Sequence, residues 1–260
     1  MKFYDNIPVL SWFILRGRCR HCSQPISARY WIVELTVALL FLASFWAFGP
    51  TLATIKACAF CFLIVGLICT DAEHKLLPDE LTLSGIVLGL GFSFLVTVPG
   101  LARLVFTIML PRFAGLARHE NLISFSDAML GALFGAFFIY AVGEIYFRVR
   151  GVEGMGFGDV KLMGMVGAFL GLKLTLFTIF AGAFLGTFYG VGLILAVWMK
   201  RWLRLKRRRP QSHPLRRAWN SARLVFRFHQ IPFGVFLGAM ALVGLFFGDR
   251  LADAYLNLFR

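Results

Sequence analysis

Hydrophobic residues in this chain form long, continuous blocks that are separated by short polar or basic connections. Several blocks reach the roughly 20 residues that a helix needs to cross a bilayer. The blocks are too long and too continuous for barrel strands, and a chain in lipid must satisfy its backbone hydrogen bonds internally. The pattern therefore predicts an all-α, polytopic integral membrane protein.

The blocks and the Lys/Arg bias of the connections predict about seven transmembrane helices with a cytoplasmic N-terminus. The predicted spans lie at about residues 31–48, 52–70, 81–98 and 128–147, in two segments of 160–199 broken near Gly171, and from Pro232 onward. Residues 99–127 fit an interfacial segment better than a crossing. Residues 1–30 are expected to form a cytoplasmic segment and residues 31–260 a membrane-embedded domain.

Composition supports this class of protein. Hydrophobic residues make up 59% of the chain and charged residues 15%, whereas soluble domains average about 45–50% and about 25%. The net charge of +14 comes from basic residues concentrated in connections, above all in residues 200–227. Such clusters are typical of cytoplasmic loops on anionic lipid, so anionic lipids are the predicted partner and nucleic acid is not.

Two acidic residues fall at the same predicted membrane edge. Asp71 closes the second predicted span and Asp159 opens the fifth, in a chain with only 13 acidic residues. An ionisable group at membrane level suggests a functional site. Two carboxylates that share a water can hydrolyse an amide, because one takes the proton of the water while the other polarises the carbonyl. Such a pair titrates as a unit.

The segment GMGFGD surrounds Asp159 with glycines. Gly156 and Gly158 flank Phe157, and we expect them to permit unusual dihedral angles and the close approach of an extended substrate. Taken alone, Asp159 also fits the N-cap of a helix. Asp71 fits capping poorly, because it ends a helix whose C-terminal dipole disfavours anions.

Two neighbouring charged residues receive structural interpretations. Asp79 follows Pro78 at the start of the third predicted span, which is typical of an N-cap. Lys161 lies just beyond Asp159, and we expect its side chain to extend toward lipid headgroups.

Four segments occur in a fixed order: FYDNIPVLSWFILRGRCRHCSQPISARYWIVEL, ICTDAEHKLLPDELTL, GMGFGDVKLM and IPFG at 231–234. Together they resemble the bacterial type IV prepilin peptidases, which are membrane aspartyl proteases with a GxGD signature. The resemblance implies an inner-membrane enzyme that removes the basic leader from prepilins or pseudopilins at the cytoplasmic face. It also implies that Asp71 and Asp159 are the catalytic residues. Many members then N-methylate the new terminus with S-adenosylmethionine.

The cysteines near the start of the chain differ from the family pattern. Family members carry a further span and two Cys-x-x-Cys pairs in this region, whereas the chain begins inside it and holds one pair, Cys19 and Cys22. A structural zinc site needs four ligands. Even with His21 this pair does not complete one, so zinc is not expected, and the peptidase needs no cofactor. Methyltransferase activity is left open for the same reason.

Two alternatives remain. The chain could be a non-catalytic assembly component of a pilus or type II secretion system, or a GxGD intramembrane protease of another kind. The IPVLSW and LRGRCRHC stretches favour a prepilin peptidase over other GxGD proteases, since general intramembrane proteolysis does not require them.

Overall fold

The structure is a computed structural model that describes residues 10–97, 120–152, 154–208, 219 and 232–257. Apart from one isolated bridge between Arg18 and Pro25, these ranges contain helices and connections. The helices are α1 (Leu10–Ile14), α2 (Arg29–Phe48), α3 (Leu52–His74), α4 (Asp79–Leu95), α5 (Glu120–Arg150), α6 (Phe157–Arg208) and α7 (Phe233–Asn257). The predicted all-α class is confirmed.

Within the described ranges, four helical stretches are long and apolar enough to cross a membrane: Arg29–Phe48, Leu52–His74, Glu120–Arg150 and Phe157–Leu203. Phe233–Gly248 is a shorter apolar stretch. A multi-pass membrane protein is therefore confirmed, and the count of seven spans stays a prediction. The fourth predicted span, residues 128–147, lies inside a longer helix, because α5 begins at Glu120 and takes up residues 120–127 as well. The rest of the ambiguous segment, residues 99–119, lies outside the described residues.

Helix α6 folds back on itself at Gly171. This residue has non-helical backbone angles, φ 75° and ψ 178°. Met163 precedes this residue and Thr175 follows it, and both contact Gly135 of α5. A Cβ on Gly135 would lie 2.7 Å from the carbonyl oxygen of Met163 and 2.9 Å from the Cγ2 of Thr175. Residues before and after Gly171 thus meet α5 at the same level. The predicted break into two segments near Gly171 is confirmed.

Close glycine contacts hold α5 against the first half of α6. A Cβ on Gly167 would overlap the backbone of Gly131, and one on Gly135 would press on Met163. Gly131 and Gly135 are four residues apart, as are Gly167 and Gly171. Small residues at this spacing let two membrane helices approach backbone to backbone.

The second half of α6 runs antiparallel to α7. Gly182 lies against Leu237 near the start of α7, and Thr178 lies near Gly244 further along it. Buried apolar side chains from α3, α5, α6 and α7 form one core cluster, which includes Phe60, Ile64, Leu67, Ile139, Met163, Val166 and Leu237. This packing brings the end of α3, the start of α6 and the start of α7 to one end of the bundle.

We predict that Gly167→Ala lowers the stability of the folded protein. Its new methyl group would overlap the backbone of Gly131, and overpacking of this kind costs about 1–3 kcal/mol. The measurement is the midpoint of thermal unfolding in detergent. Gly192→Ala is the matched control in the same helix, because a Cβ there meets no atom within 4 Å. An unchanged midpoint for Gly167→Ala would contradict the close packing of α5 on α6.

Candidate active site

Asp71 lies in the last turn of α3, and its side chain is buried, with 5% of the residue exposed. Its Oδ2 accepts a hydrogen bond from the backbone N–H of Val235 at 2.9 Å and also faces the N–H of Gly234. Both N–H groups belong to the first turn of α7. The first N–H groups of a helix have no partner within it, and the helix dipole favours an anion there. Asp71 therefore anchors the start of α7.

Asp159 is the third residue of α6 and is 8% exposed. Because α6 begins at Phe157, Asp159 lies inside the first turn and is not the N-cap residue that it resembles in isolation. Its carboxylate faces the backbone N–H of Gly156 and the carboxylate of Asp71. An acid at the third helical position that reaches back to the start of its own helix is a known capping arrangement. The helix-start interpretation of Asp159 is therefore right only in part.

Gly234 lies at the point where the two acids meet. A Cβ on this residue would stand 2.8 Å from Oδ2 of Asp71 and 3.3 Å from Oδ1 of Asp159. Two carboxylates that are far apart in sequence thus face each other across a residue that has no side chain. The structure brings both predicted catalytic residues into one buried site. The role of Gly234 was missed, although it is the last residue of the IPFG segment.

The predicted loop of Gly156, Phe157 and Gly158 lies beside Asp159. The expectation of unusual dihedral angles was wrong, since neither glycine has a positive φ. Gly158 is needed for a different reason, because a Cβ there would come within 2.9 Å of the Cβ of Leu77. Phe157 is 63% exposed and points away from the core. The loop therefore presents one aromatic ring next to a turn that packs tightly on the α3–α4 connection.

A cavity of about 240 Å³ lies beside this loop, between α5 and the start of α6. Its walls include Ile139, Tyr140, Gly143 and Glu144 from α5, and Gly154, Met155, Gly156 and Phe157 from the loop. Glu144 forms an ion pair with Arg148 at 2.8 Å. Cavities lined mainly by apolar groups, with a few polar ones, are where proteins bind ligand side chains.

Lys161 and Asp79 form an ion pair at 2.6 Å, between Nζ and Oδ1. The expectation that Lys161 extends to headgroups was wrong, because its side chain is only 21% exposed and bonds to another helix. The N-cap interpretation of Asp79 was also wrong. Pro78 occupies the cap position, no side-chain cap hydrogen bond is made, and Asp79 is the first residue of α4.

Cys19 and Cys22 lie on a tight turn. The carbonyl of Cys19 accepts the N–H of Ser23 at 2.9 Å, and the N–H of Cys19 donates to Gln24 at 2.9 Å. Neither cysteine forms a disulfide bond within the described residues. Within the described ranges, no group of three or more His, Cys, Asp or Glu side chains could hold a metal ion. Two thiols on one turn do not fit a four-ligand zinc site by themselves.

Two family models match the chain. The Type IV leader peptidase family covers residues 57–191 and the Bacterial Peptidase A24 N-terminal domain covers residues 1–48. No solved structure matches the chain at a significant level.

Three curated relatives are each called prepilin leader peptidase/N-methyltransferase. The protein of Aeromonas hydrophila is 33% identical over 98% of this chain and 71% of its own length. That of Xanthomonas campestris pv. campestris is 31% identical over 99% and 72%. That of Pseudomonas aeruginosa is 33% identical over 98% and 70%. With both predicted acids in one buried site and relatives along nearly its whole length, this chain belongs to the type IV leader peptidase family.

Proposed function

We propose that this protein is a membrane aspartic endopeptidase that cleaves the leader peptide from type IV prepilins or pseudopilins. The observation that carries the proposal is the meeting of two buried carboxylates across Gly234. Burying two like charges side by side is costly, and a site of this kind is a functional one by default. A non-catalytic assembly component has no need of such a pair, and the names of the relatives point to the same reaction.

The surroundings assign a different role to each acid. Asp71 accepts a backbone N–H at the start of α7, where the helix dipole stabilises a negative charge. Asp71 is therefore the ionised member of the pair. Two carboxylates this close do not both ionise readily, so Asp159 holds the shared proton.

Peptide cleavage then follows the general acid–base scheme. The Asp71 carboxylate takes a proton from water, and the water oxygen bonds to the scissile carbonyl carbon. Asp159 donates its proton to the carbonyl oxygen, which gives a neutral tetrahedral diol. The proton on Asp71 passes to the leaving nitrogen as the C–N bond breaks. Asp159 recovers its proton from a hydroxyl of the diol as the new carboxyl group forms.

The substrate can bind along the loop at 154–157, whose residues are mostly exposed. An extended peptide that passes the two acids can lie along this glycine-rich segment. The cavity beside Gly156 and Phe157 is then in reach of one substrate side chain, and its size and apolar lining suit a large apolar one.

Charge distribution supports an inner-membrane location with the acids facing the cytoplasm. The helix ends that meet at the site carry Arg29 on α2, Lys75 after α3, and Arg148 and Arg150 on α5. Positive residues concentrate on the cytoplasmic side of membrane proteins. Anionic lipids remain the proposed partner of the basic segment 200–227, most of which lies outside the described residues.

Methylation of the new terminus is a further part of the proposal. It is supported by the names of the relatives, which include N-methyltransferase. S-adenosylmethionine is the methyl donor that the resemblance implies. Mass spectrometry of a processed prepilin shows the added methyl group directly.

We predict that Asp71→Asn and Asp159→Asn each abolish processing but preserve the fold. Asparagine keeps a side-chain oxygen that accepts the Val235 N–H, whereas it can neither take a proton from water nor donate one as an acid. The expected loss in kcat is at least roughly a hundredfold, the scale of general acid–base catalysis. The measurement is cleavage of a purified prepilin by protein reconstituted in liposomes. Processing at the wild-type rate by either variant contradicts the proposal.

We predict that Gly234→Ala lowers kcat by roughly tenfold or more, because small displacements of catalytic groups are costly. The methyl group would stand between the two carboxylates. Gly91→Ala is the control, since a Cβ there meets no atom within 4 Å. The same liposome assay compares them. Equal activity of the two variants would show that the acids do not meet at Gly234.

We predict that Gly143→Leu raises KM for prepilins and leaves the fold intact. Gly143 lines the cavity, and the nearest atom to a Cβ there is the Cβ of Met155 at 3.6 Å, so the backbone has room while the larger side chain fills the cavity. The assay compares a prepilin with its alanine variants at the positions that flank the scissile bond. If the cavity binds one of these side chains, Gly143→Leu raises KM less for the prepilin in which that side chain is alanine than for the parent prepilin. An equal rise in KM for all substrates contradicts this role of the cavity.

A further inference from the structure

An ion pair joins the two chain segments that carry the acids. Lys161 follows Asp159 in the first turns of α6, and Asp79 begins α4 at the end of the connection that starts after Asp71. The Nζ of Lys161 and the Oδ1 of Asp79 lie 2.6 Å apart, so this ion pair ties the first turns of α6 to the start of α4. Asp71, the α3–α4 connection, the ion pair and Asp159 thus form a closed ring.

Apolar contacts reinforce this ring on the other side of Asp159. Leu77, in the α3–α4 connection, packs so closely on Gly158 that a Cβ on the glycine would come within 2.9 Å of the Cβ of the leucine. The ammonium group of Lys161 also lies 5.0 Å from the centre of the Phe157 ring. A cation over an aromatic ring is attracted to it. The residues before and after Asp159 are therefore both held by neighbours.

The position of Asp159 makes its orientation dependent on these contacts. It lies in the first turn of a helix, where several backbone N–H groups lack partners within the helix and the ends fray. Its partner Asp71 is held separately, by the start of α7. The geometry between the acids therefore depends on what fixes the first turn of α6 to the α3–α4 connection.

We propose that Asp79 and Lys161 are positioning residues, which hold the first turn of α6 so that Asp159 faces Asp71. The inference rests on the proposed proteolysis, and it adds a second role. Because its ammonium group is bonded to Asp79, Lys161 is kept from pairing with Asp159, whose proton the reaction needs. Neither side chain touches the substrate.

The test compares steady-state cleavage of a purified prepilin by the full chain in liposomes. The variants are Asp79→Asn, Lys161→Met, Lys161→Arg and the double exchange Asp79→Lys with Lys161→Asp. Methionine keeps most of the apolar stem of lysine and removes the charge. Rates are divided by the amount of folded protein, which is measured by thermal unfolding, so that a simple loss of stability does not count as a loss of kcat.

We expect Asp79→Asn and Lys161→Met each to lower kcat by roughly tenfold with little change in KM, since a misplacement of about 1 Å can cost up to a hundredfold. The double exchange should regain much of that loss, and Lys161→Arg, which keeps the pair, should stay near wild type. Arg29→Gln is the matched control. It removes another interhelical ion pair of the same 2.6 Å length, between Arg29 and Glu73, and should leave kcat unchanged.

Several results would overturn the inference. Wild-type kcat in both Asp79→Asn and Lys161→Met, after correction for folded protein, shows that the pair does not position the acids. A loss in Lys161→Met alone, or a rise in KM, shows that Lys161 acts on the substrate or on lipid. If the double exchange does not fold, Lys161→Arg decides, and activity as low as that of Lys161→Met contradicts the pair. A wild-type protein that cleaves no prepilin refutes the proposed function itself.

Discussion

The hydrogen bond from the Val235 N–H to the Asp71 carboxylate is the contact on which the candidate site depends. It joins the last turn of α3 to the first turn of α7, and so fixes one acid at the start of a helix. Helix α7 packs along the second half of α6, whose first half carries Asp159. The Asp71 carboxylate thereby accepts a backbone N–H that has no partner within α7, and the dipole of α7 stabilises its negative charge. The same carboxylate faces Asp159. Gly234 allows the two acids to meet, because any side chain there would fill the space between them.

A similar arrangement appears at the opposite end of the bundle. Asp127, buried near the start of α5, accepts the N–H of Leu172, the residue that resumes the helix after Gly171, at 3.3 Å. At both of these helix starts, a backbone N–H is satisfied by a carboxylate from a neighbouring helix. Between these two ends, glycines bring the backbones of α5 and α6 together. Lipid tails are as apolar as buried side chains, so the hydrophobic effect does not drive helices together inside a bilayer. Close packing and polar contacts of this kind hold them together instead.

The hydrophobic blocks predicted the positions of most helices, the break near Gly171 and the meeting of Asp71 with Asp159 at one end. These features depend on local composition and on which side of the membrane each connection lies. The ion pair of Lys161 with Asp79 and the role of Gly234 could not be predicted this way, because they depend on which helices pack together. The glycine of IPFG was a visible signal, but a sequence without coordinates does not show which atoms a missing side chain would meet. The capping interpretation of Asp79 failed for the same reason, since its partner lies on another helix.

In the proposed mechanism, two coupled acids, one ionised and one protonated, perform the reaction together. The pH dependence of kcat/KM for prepilin cleavage in liposomes tests this most directly, because it reports the essential acid and base of the free enzyme. We expect a bell-shaped profile, in which activity falls at low pH as Asp71 gains a proton and at high pH as the pair loses its shared proton. A profile that rises to a plateau and stays there, with the protein still folded, would mean that no protonated acid is required and would contradict the proposed mechanism.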